Sequence, residues 1–164
     1  MKLTKTFLIA FGIGLAVVGL LIIGTLVTTK SGHLSVVGKL MKVRSLPTDE
    51  KNTLLVVDFR AHNEAKIPFM SQQAKVVVTK PDGSEVEGDT IAQSDMDRVF
   101  DYYKILGPKY NPVLIQRDRI KAGETMDRMV AASVALPESD VEKRKNLTVR
   151  LYDVDGQTFD IKEK

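Results

Sequence analysis

Four stretches of the sequence carry residue types that could do chemistry. Asp153-Val154-Asp155-Gly156 sets two carboxylates two residues apart ahead of a glycine, which resembles the start of a calcium loop. The full pattern needs a further acid before its glycine and a glutamate six residues after it, where this chain has Lys162. Asp-Gly between two apolar runs is also the strongest short hairpin signal, so a turn is the expected role. Asp95, Asp97 and Asp101 form a second acidic group; a pair of them could serve acid-base hydrolysis if folding brought them together, but their spacing suits a helix start and a solvated helix face. His33 and His62 are the two histidines, neither in H-E-x-x-H spacing, and His62-Asn63-Glu64-Ala65-Lys66 supplies no second ligand. The Gly12-Ile13-Gly14 pair lacks the third glycine of a dinucleotide fingerprint, and neither a G-x-S-x-G elbow nor a Walker loop occurs. The chain has no cysteine, which removes disulfides, thiolate chemistry and zinc fingers. The expectation is no catalytic residue, no metal and no cofactor; an enzyme, or an enzyme's regulatory subunit, using the clustered carboxylates is the competing reading.

The stretch 93–112 offers a surface instead. From Ser94 the apolar residues Met96, Val99, Phe100, Tyr103 and Leu106 recur at helical spacing. Ser94 with Asp97 three residues on resembles a capping box, and Lys104 and Gly107 suit a helix end, so a short helix is expected at about 95–106. Ile105 points away from the apolar face, and Tyr102, Pro108 and Tyr110 are near it. Such an apolar and aromatic cluster suits a protein contact. The competing structural role is a helix that plugs the open end of the fold.

These residues need an element to place them in the cell and elements to hold them. Residues 7–27, F-L-I-A-F-G-I-G-L-A-V-V-G-L-L-I-I-G-T-L-V, contain no charge. At about 1.5 Å per helical residue they reach roughly 30 Å, the thickness of a bilayer's hydrocarbon core. The run exceeds the 7–15 apolar residues of a typical signal-peptide core, and Thr28-Thr29-Lys30-Ser31-Gly32-His33 offers no small-residue cleavage site. An uncleaved single-pass anchor is therefore expected, after a short basic segment at 1–6 and before a connector at 28–32. Lys2 and Lys5 favour a cytoplasmic N-terminus, and long domains translocate largely regardless of the charges that follow. The expected location is the inner membrane, with the domain outside the cytoplasm. Gly12, Ala16 and Gly19 fall on one helical face and could let two anchors approach in a weak homodimer. The same two lysines account for most of the net charge of +3, so the remainder is nearly neutral and nucleic acid is not an expected partner.

About 135 residues follow the anchor, a common size for one domain. Strands are expected at 33–44, 53–63, 74–79, 85–92, 113–116, 125–136, 147–154 and 157–161, with a loop break at 45–52 and one helical turn near 138–144. In 53–63, Leu55, Val57, Phe59 and Ala61 take one face and Asp58, Arg60 and His62 the other; Leu54 and Val56 interrupt the polar face, so that end should be covered on both sides. In 125–136, Met129, Ala131, Ser133 and Ala135 alternate with Val130, Ala132, Val134 and Leu136, the mark of a central strand. Lys80-Pro81-Asp82-Gly83-Ser84 is a hairpin turn. About eight strands and one short helix, without βαβ alternation, predict an antiparallel β-sandwich at 33–162.

A strand ending in Asn63, the Asp82-Gly83 hairpin, the turn Gly123-Glu124-Thr125 and the apolar strand after it together resemble bacterial membrane-anchored envelope domains of immunoglobulin-like fold. Val149-Arg150-Leu151-Tyr152-Asp153 is similar to the signature of the F-x-L-Y-D modules among them, with Val for Phe and in the last hairpin rather than earlier. The resemblance implies an immunoglobulin-like sandwich in the cell envelope and brings no catalytic residues. The expected function is a membrane-anchored binding or structural module whose partners are the lipid bilayer and another envelope protein.

Overall fold

The computed structural model describes residues 5–28 and 34–163, with side chains between 5 and 28 described from Phe11 to Ile23. Residues 1–4, most of the 28–32 connector and His33 lie outside the described residues. The chain divides into two units, Met1–His33 and Leu34–Lys164.

In the first unit, helix α1 spans Lys5–Thr28, 24 residues, enclosing the apolar run with one turn's margin or less at each end. Among the residues described in full, no helix is long and apolar enough to cross a membrane. The described side chains include Phe11, Ile13, Leu15, Val17 and Leu20, all exposed. Gly12, Ala16 and Gly19 lie within α1, and a Cβ at either glycine would meet nothing within 4 Å.

The second unit is mainly β. Its strands are β1 (Val36–Pro47), β2 (Thr53–Asn63), β3 (Phe69–Thr79), β4 (Glu85–Thr90), β5 (Arg119–Ile120), β6 (Thr125–Val134), β7 (Asn146–Asp153) and β8 (Thr158–Lys162). They pair antiparallel in the order β1-β2-β6-β4-β3-β7-β8, with β5 added to β3. The ends of this order, β1 and β8, pack side by side without a ladder, so the sheet nearly closes. Helix α2 (Gln93–Tyr102), a 3₁₀ turn (Lys104–Leu106) and α3 (Glu138–Glu142) complete the unit.

Strand alternation explains the core. Leu55, Val57, Phe59 and Ala61 of β2 and Val130, Ala132 and Val134 of β6 face inward, against Val76 and Val78 of β3 and Leu147, Val149 and Leu151 of β7. The opposite faces of β2 and β6 carry Leu54, Val56, Met129 and Ala131, which pack in a second cluster with Met96 and Phe100 of α2 and with Leu106. β6 is therefore central and covered on both faces, as its two apolar rows require. Strand β4 joins the two halves of the sheet: it pairs with β3 through Gly88, then with β6 at Asp89 and Thr90. A Cβ on Gly88 would lie 2.9 Å from the side chains of both Ala132 and Val134, so only glycine lets β4 cross there.

Several boundaries differ from the expectation. Ser45, Leu46 and Pro47 continue β1, because they pair with Leu55, Leu54 and Thr53 at the sheet edge, where a proline costs no ladder bond. β3 begins at Phe69, five residues before the expected start at Ala74. Residues 113–116 form no strand; Val113 makes one isolated bridge to Met129, and the chain turns at Arg117, whose φ of 68° is left-handed. The eighth strand is β5 instead. Ser94 is not a cap: α2 starts at Gln93 with Ala92 as N-cap and no side-chain cap bond, and it breaks at Tyr103 before the 3₁₀ turn.

Candidate functional site

Arg44, near the end of β1, is directed to the outer face of the sheet, where alternation alone would leave it in water. Asp58 faces it from β2. Their side chains are 9% and 1% exposed and form an ion pair with Nη2 to Oδ2 at 2.7 Å. The segment after α2 covers them. Arg44 Nη1 donates to the carbonyls of Leu106 (2.8 Å) and Pro108 (3.0 Å), while Asn111 Nδ2 donates to the second oxygen of Asp58 (2.9 Å). The guanidinium also lies over the rings of Phe100 (5.3 Å) and Tyr110 (5.2 Å). Lys42 donates to Tyr110 Oη at 2.9 Å and sits over the same ring. One buried cation thus gathers the backbone of 106–108, the Tyr110 ring and, through Asp58, Asn111 onto the face of β1 and β2.

The apolar stripe of α2 does the rest. Met96, Phe100 and Leu106 are buried against Leu54, Val56, Met129 and Ala131, so the helix covers the outer face of β2 and β6 rather than plugging an end of the fold. The four residues expected at a partner surface are all exposed: Ile105 is 83% exposed, Tyr102 80%, and Pro108 and Tyr110 are also open to solvent. The Tyr102 ring packs edge-on against Tyr103 at 4.7 Å. Tyr110 is in part a packing residue through Lys42 and Arg44, which leaves Ile105 and Tyr102 as the most projecting apolar groups of the segment. The sequence signal for Arg44 and Asp58 was slight: a charged residue on each of two adjacent strands, beside the apolar interruption at Leu54 and Val56.

The carboxylates do not converge. Asp95, Asp97 and Asp101 pair singly with Arg98, Lys109 and Lys104. The hydrogen bond and charge of Lys104 hold the Asp101 carboxyl below its ordinary range, so it stays ionised at neutral pH. Asp153 is buried and accepts from the backbone N–H of Met70 (2.8 Å) and of Asp155 (3.0 Å), which fastens the β7–β8 turn to the start of β3. Gly156 takes a φ of 84° in that turn. Among the described residues no group of three or more His, Asp or Glu side chains could hold a metal ion. His62 Nδ1 shares a hydrogen bond with Thr125 Oγ1 at 3.0 Å across β2 and β6.

Asn63 and the Gly123-Glu124-Thr125 turn, singled out by residue pattern, meet in space. Asn63 donates its N–H to Glu124 O (3.0 Å) and accepts from Gly123 N–H (2.8 Å). Its side chain donates to Ile67 O and Ile120 O and accepts from Ala65 N–H. On the far half of the sheet, Arg150 of β7 binds Asp160 of β8 and lies near Glu85 and Glu87 of β4, while Lys75 of β3 pairs with Glu87. The Asp160 hydrogen bond, helped by the charges of Asp160 and Glu85 and outweighing the opposing effect of partial burial, holds the Arg150 guanidinium well above its ordinary range.

No protein-family model matches the chain, and no curated protein matches it. Among solved structures, the chain is similar to a protein from Bordetella pertussis described as ApaA, at 13% identity and a TM-score of 0.37, over 80% of this chain and 89% of that one. It is also similar to an uncharacterized β-sandwich protein from Clostridium difficile 630, at 15% identity and a TM-score of 0.34, over 80% and 82% of the two chains.

Proposed function

We propose that the protein is a membrane-anchored binding or structural module of the bacterial cell envelope, acting through a protein contact centred on Tyr102 and Ile105. In this reading α1 is an uncleaved single-pass anchor in the inner membrane, the β unit is an immunoglobulin-like domain outside the cytoplasm, and Gly12, Ala16 and Gly19 are the face on which two anchors meet. The length and apolar character of 7–27 support the anchor, and the pattern Val149-Arg150-Leu151-Tyr152-Asp153 supports the kinship with the F-x-L-Y-D type of module.

The observation that carries the binding role is that two large apolar side chains project into solvent from a segment that a buried ion pair holds in place. A loop fixed before binding loses less conformational entropy on association than a mobile one, and aromatic and aliphatic anchors at the centre of an interface supply most of its affinity. Pro108 and Tyr110 form the border of that contact.

A photo-crosslinking residue at position 105, in intact membranes, is expected to capture a discrete protein adduct that Tyr102→Ser with an otherwise unchanged chain weakens. The same label at Glu50, on the β1–β2 turn, should give none. Equal adducts at the two positions would sink the proposal.

A further inference from the structure

A second site lies on the other side of α2's start. Where β4 leaves β3 to join β6, a cleft of about 600 Å³ opens, inside the range of roughly 300–1,000 Å³ typical of small-ligand sites. Its lining brings together Gln72 and Gln73 of β3, Asp89 of β4, Gln93 at the first turn of α2, and Gln116. None of these five side chains is hydrogen-bonded or ion-paired within the described residues. Ser71, also in the lining, keeps its Oγ buried with no partner.

The chemistry of this lining selects its ligand. Lys75 and Glu87 both border the cleft but bind each other, so no free cation is offered to a phosphate or a carboxylate. Asp89 is a single carboxylate, too few for a divalent cation. An added peptide strand would need open backbone on β3, yet the N–H and C=O of Ser71 are taken by Asp118 O and Arg117 N–H, and Ala74 O accepts from Thr90 Oγ1 at 2.9 Å. What remains is four neutral amides, each both donor and acceptor, beside one carboxylate acceptor and the uncapped first turn of α2. Adjacent sugar hydroxyls are also donor and acceptor at once, and they pair with amides and carboxylates of this kind. The exposed aliphatic side chain of Ile115 supplies a face for a pyranose ring.

We propose that the β3–β4 cleft binds a neutral oligosaccharide, with Gln73, Gln116 and Asp89 as its main hydrogen-bonding groups. The site is separate from the Tyr102 and Ile105 surface and does not depend on it.

The test uses the full-length chain in polyoxyethylene-ether micelles, whose headgroups carry no sugar. Chitotetraose, cellotetraose and maltotetraose are each titrated by calorimetry and by saturation-transfer NMR. At least one is expected to bind. Gln73→Ala, Gln116→Ala and Asp89→Ala should each weaken it about fivefold or more, the loss of one or two hydrogen bonds, while Glu50→Gln leaves it unchanged. Thermal unfolding of each variant within a degree of the parent separates lost binding from lost fold, and the pair Gln72→Ala and Gln93→Ala replaces any variant that fails it. Three tetrasaccharides that do not bind at millimolar concentration would overturn the proposal. So would binding indifferent to the cleft variants, or tighter binding of an unglycosylated tetrapeptide.

Discussion

At the residue scale, the Arg44–Asp58 pair holds the segment after α2 onto the outer face of β1 and β2. A charge taken out of water is costly unless its counter-charge and its remaining hydrogen-bonding groups are met, and here Nη1, Nη2 and both Asp58 oxygens are met. Arg44 Nε is the exception, buried without a partner. Removing the cation alone would strand the Asp58 carboxylate at 1% exposure. Arg44→Met is therefore expected to destabilise the domain by about 3–5 kcal/mol. Adding Asp58→Leu should recover most of the loss, since an apolar pair leaves no buried charge. Urea unfolding of the parent, the single and the double variant measures this; a double variant no more stable than the single one would contradict it.

At the element scale, α2 and the 3₁₀ turn have two faces with different duties. Met96, Phe100 and Leu106 close the outer face of β2 and β6, and Ile105, between them in sequence, turns outward. Phe100→Ala should cost about 3–5 kcal/mol by opening a cavity against Val56 and Met129. Ile105→Ser should change stability by no more than about 0.5 kcal/mol, because an exposed side chain gives up no burial. Thermal denaturation of the two variants side by side separates the packing face from the projecting one. That division was readable beforehand, since the 3.6-residue period placed Ile105 opposite the apolar arc. The surface that the arc would cover was not readable, because it belongs to strands some forty residues before and thirty after.

At the scale of the whole molecule, a seam between β1 and β8 decides how nearly the sheet closes. Gly38 is the close approach: a Cβ there would stand 2.2 Å from the carbonyl oxygen of Arg60 and 2.8 Å from Ile161 Cδ1. Gly38→Ala should push β1 off both neighbours, the β2 ladder at Arg60 and the β8 seam at Ile161, at a cost of roughly 1–3 kcal/mol, the usual range for overpacking. Amide exchange should then quicken in β8 and in the first half of β1, while β6, paired on both sides, stays slow. Uniform acceleration across all strands would count against a local seam.

The sequence by itself determined the strands β2, β6, β7 and β8, the two Gly-containing hairpin turns and the apolar face of α2, because alternation, helical period and turn chemistry act over a few neighbouring residues. It also determined a long apolar segment ahead of a nearly neutral domain. It misplaced the eighth strand, since the pairing of Arg119–Ile120 depends on the edge that Phe69 and Met70 present, not on β propensity. Only the tertiary structure decided the sheet order, the burial of Arg44 with Asp58, and the gathering of Gln72, Gln73, Asp89, Gln93 and Gln116 around one cleft. Those are relations between residues far apart in the chain, and local patterning makes each of them look like an ordinary solvated side chain until the fold supplies the neighbour or withholds it.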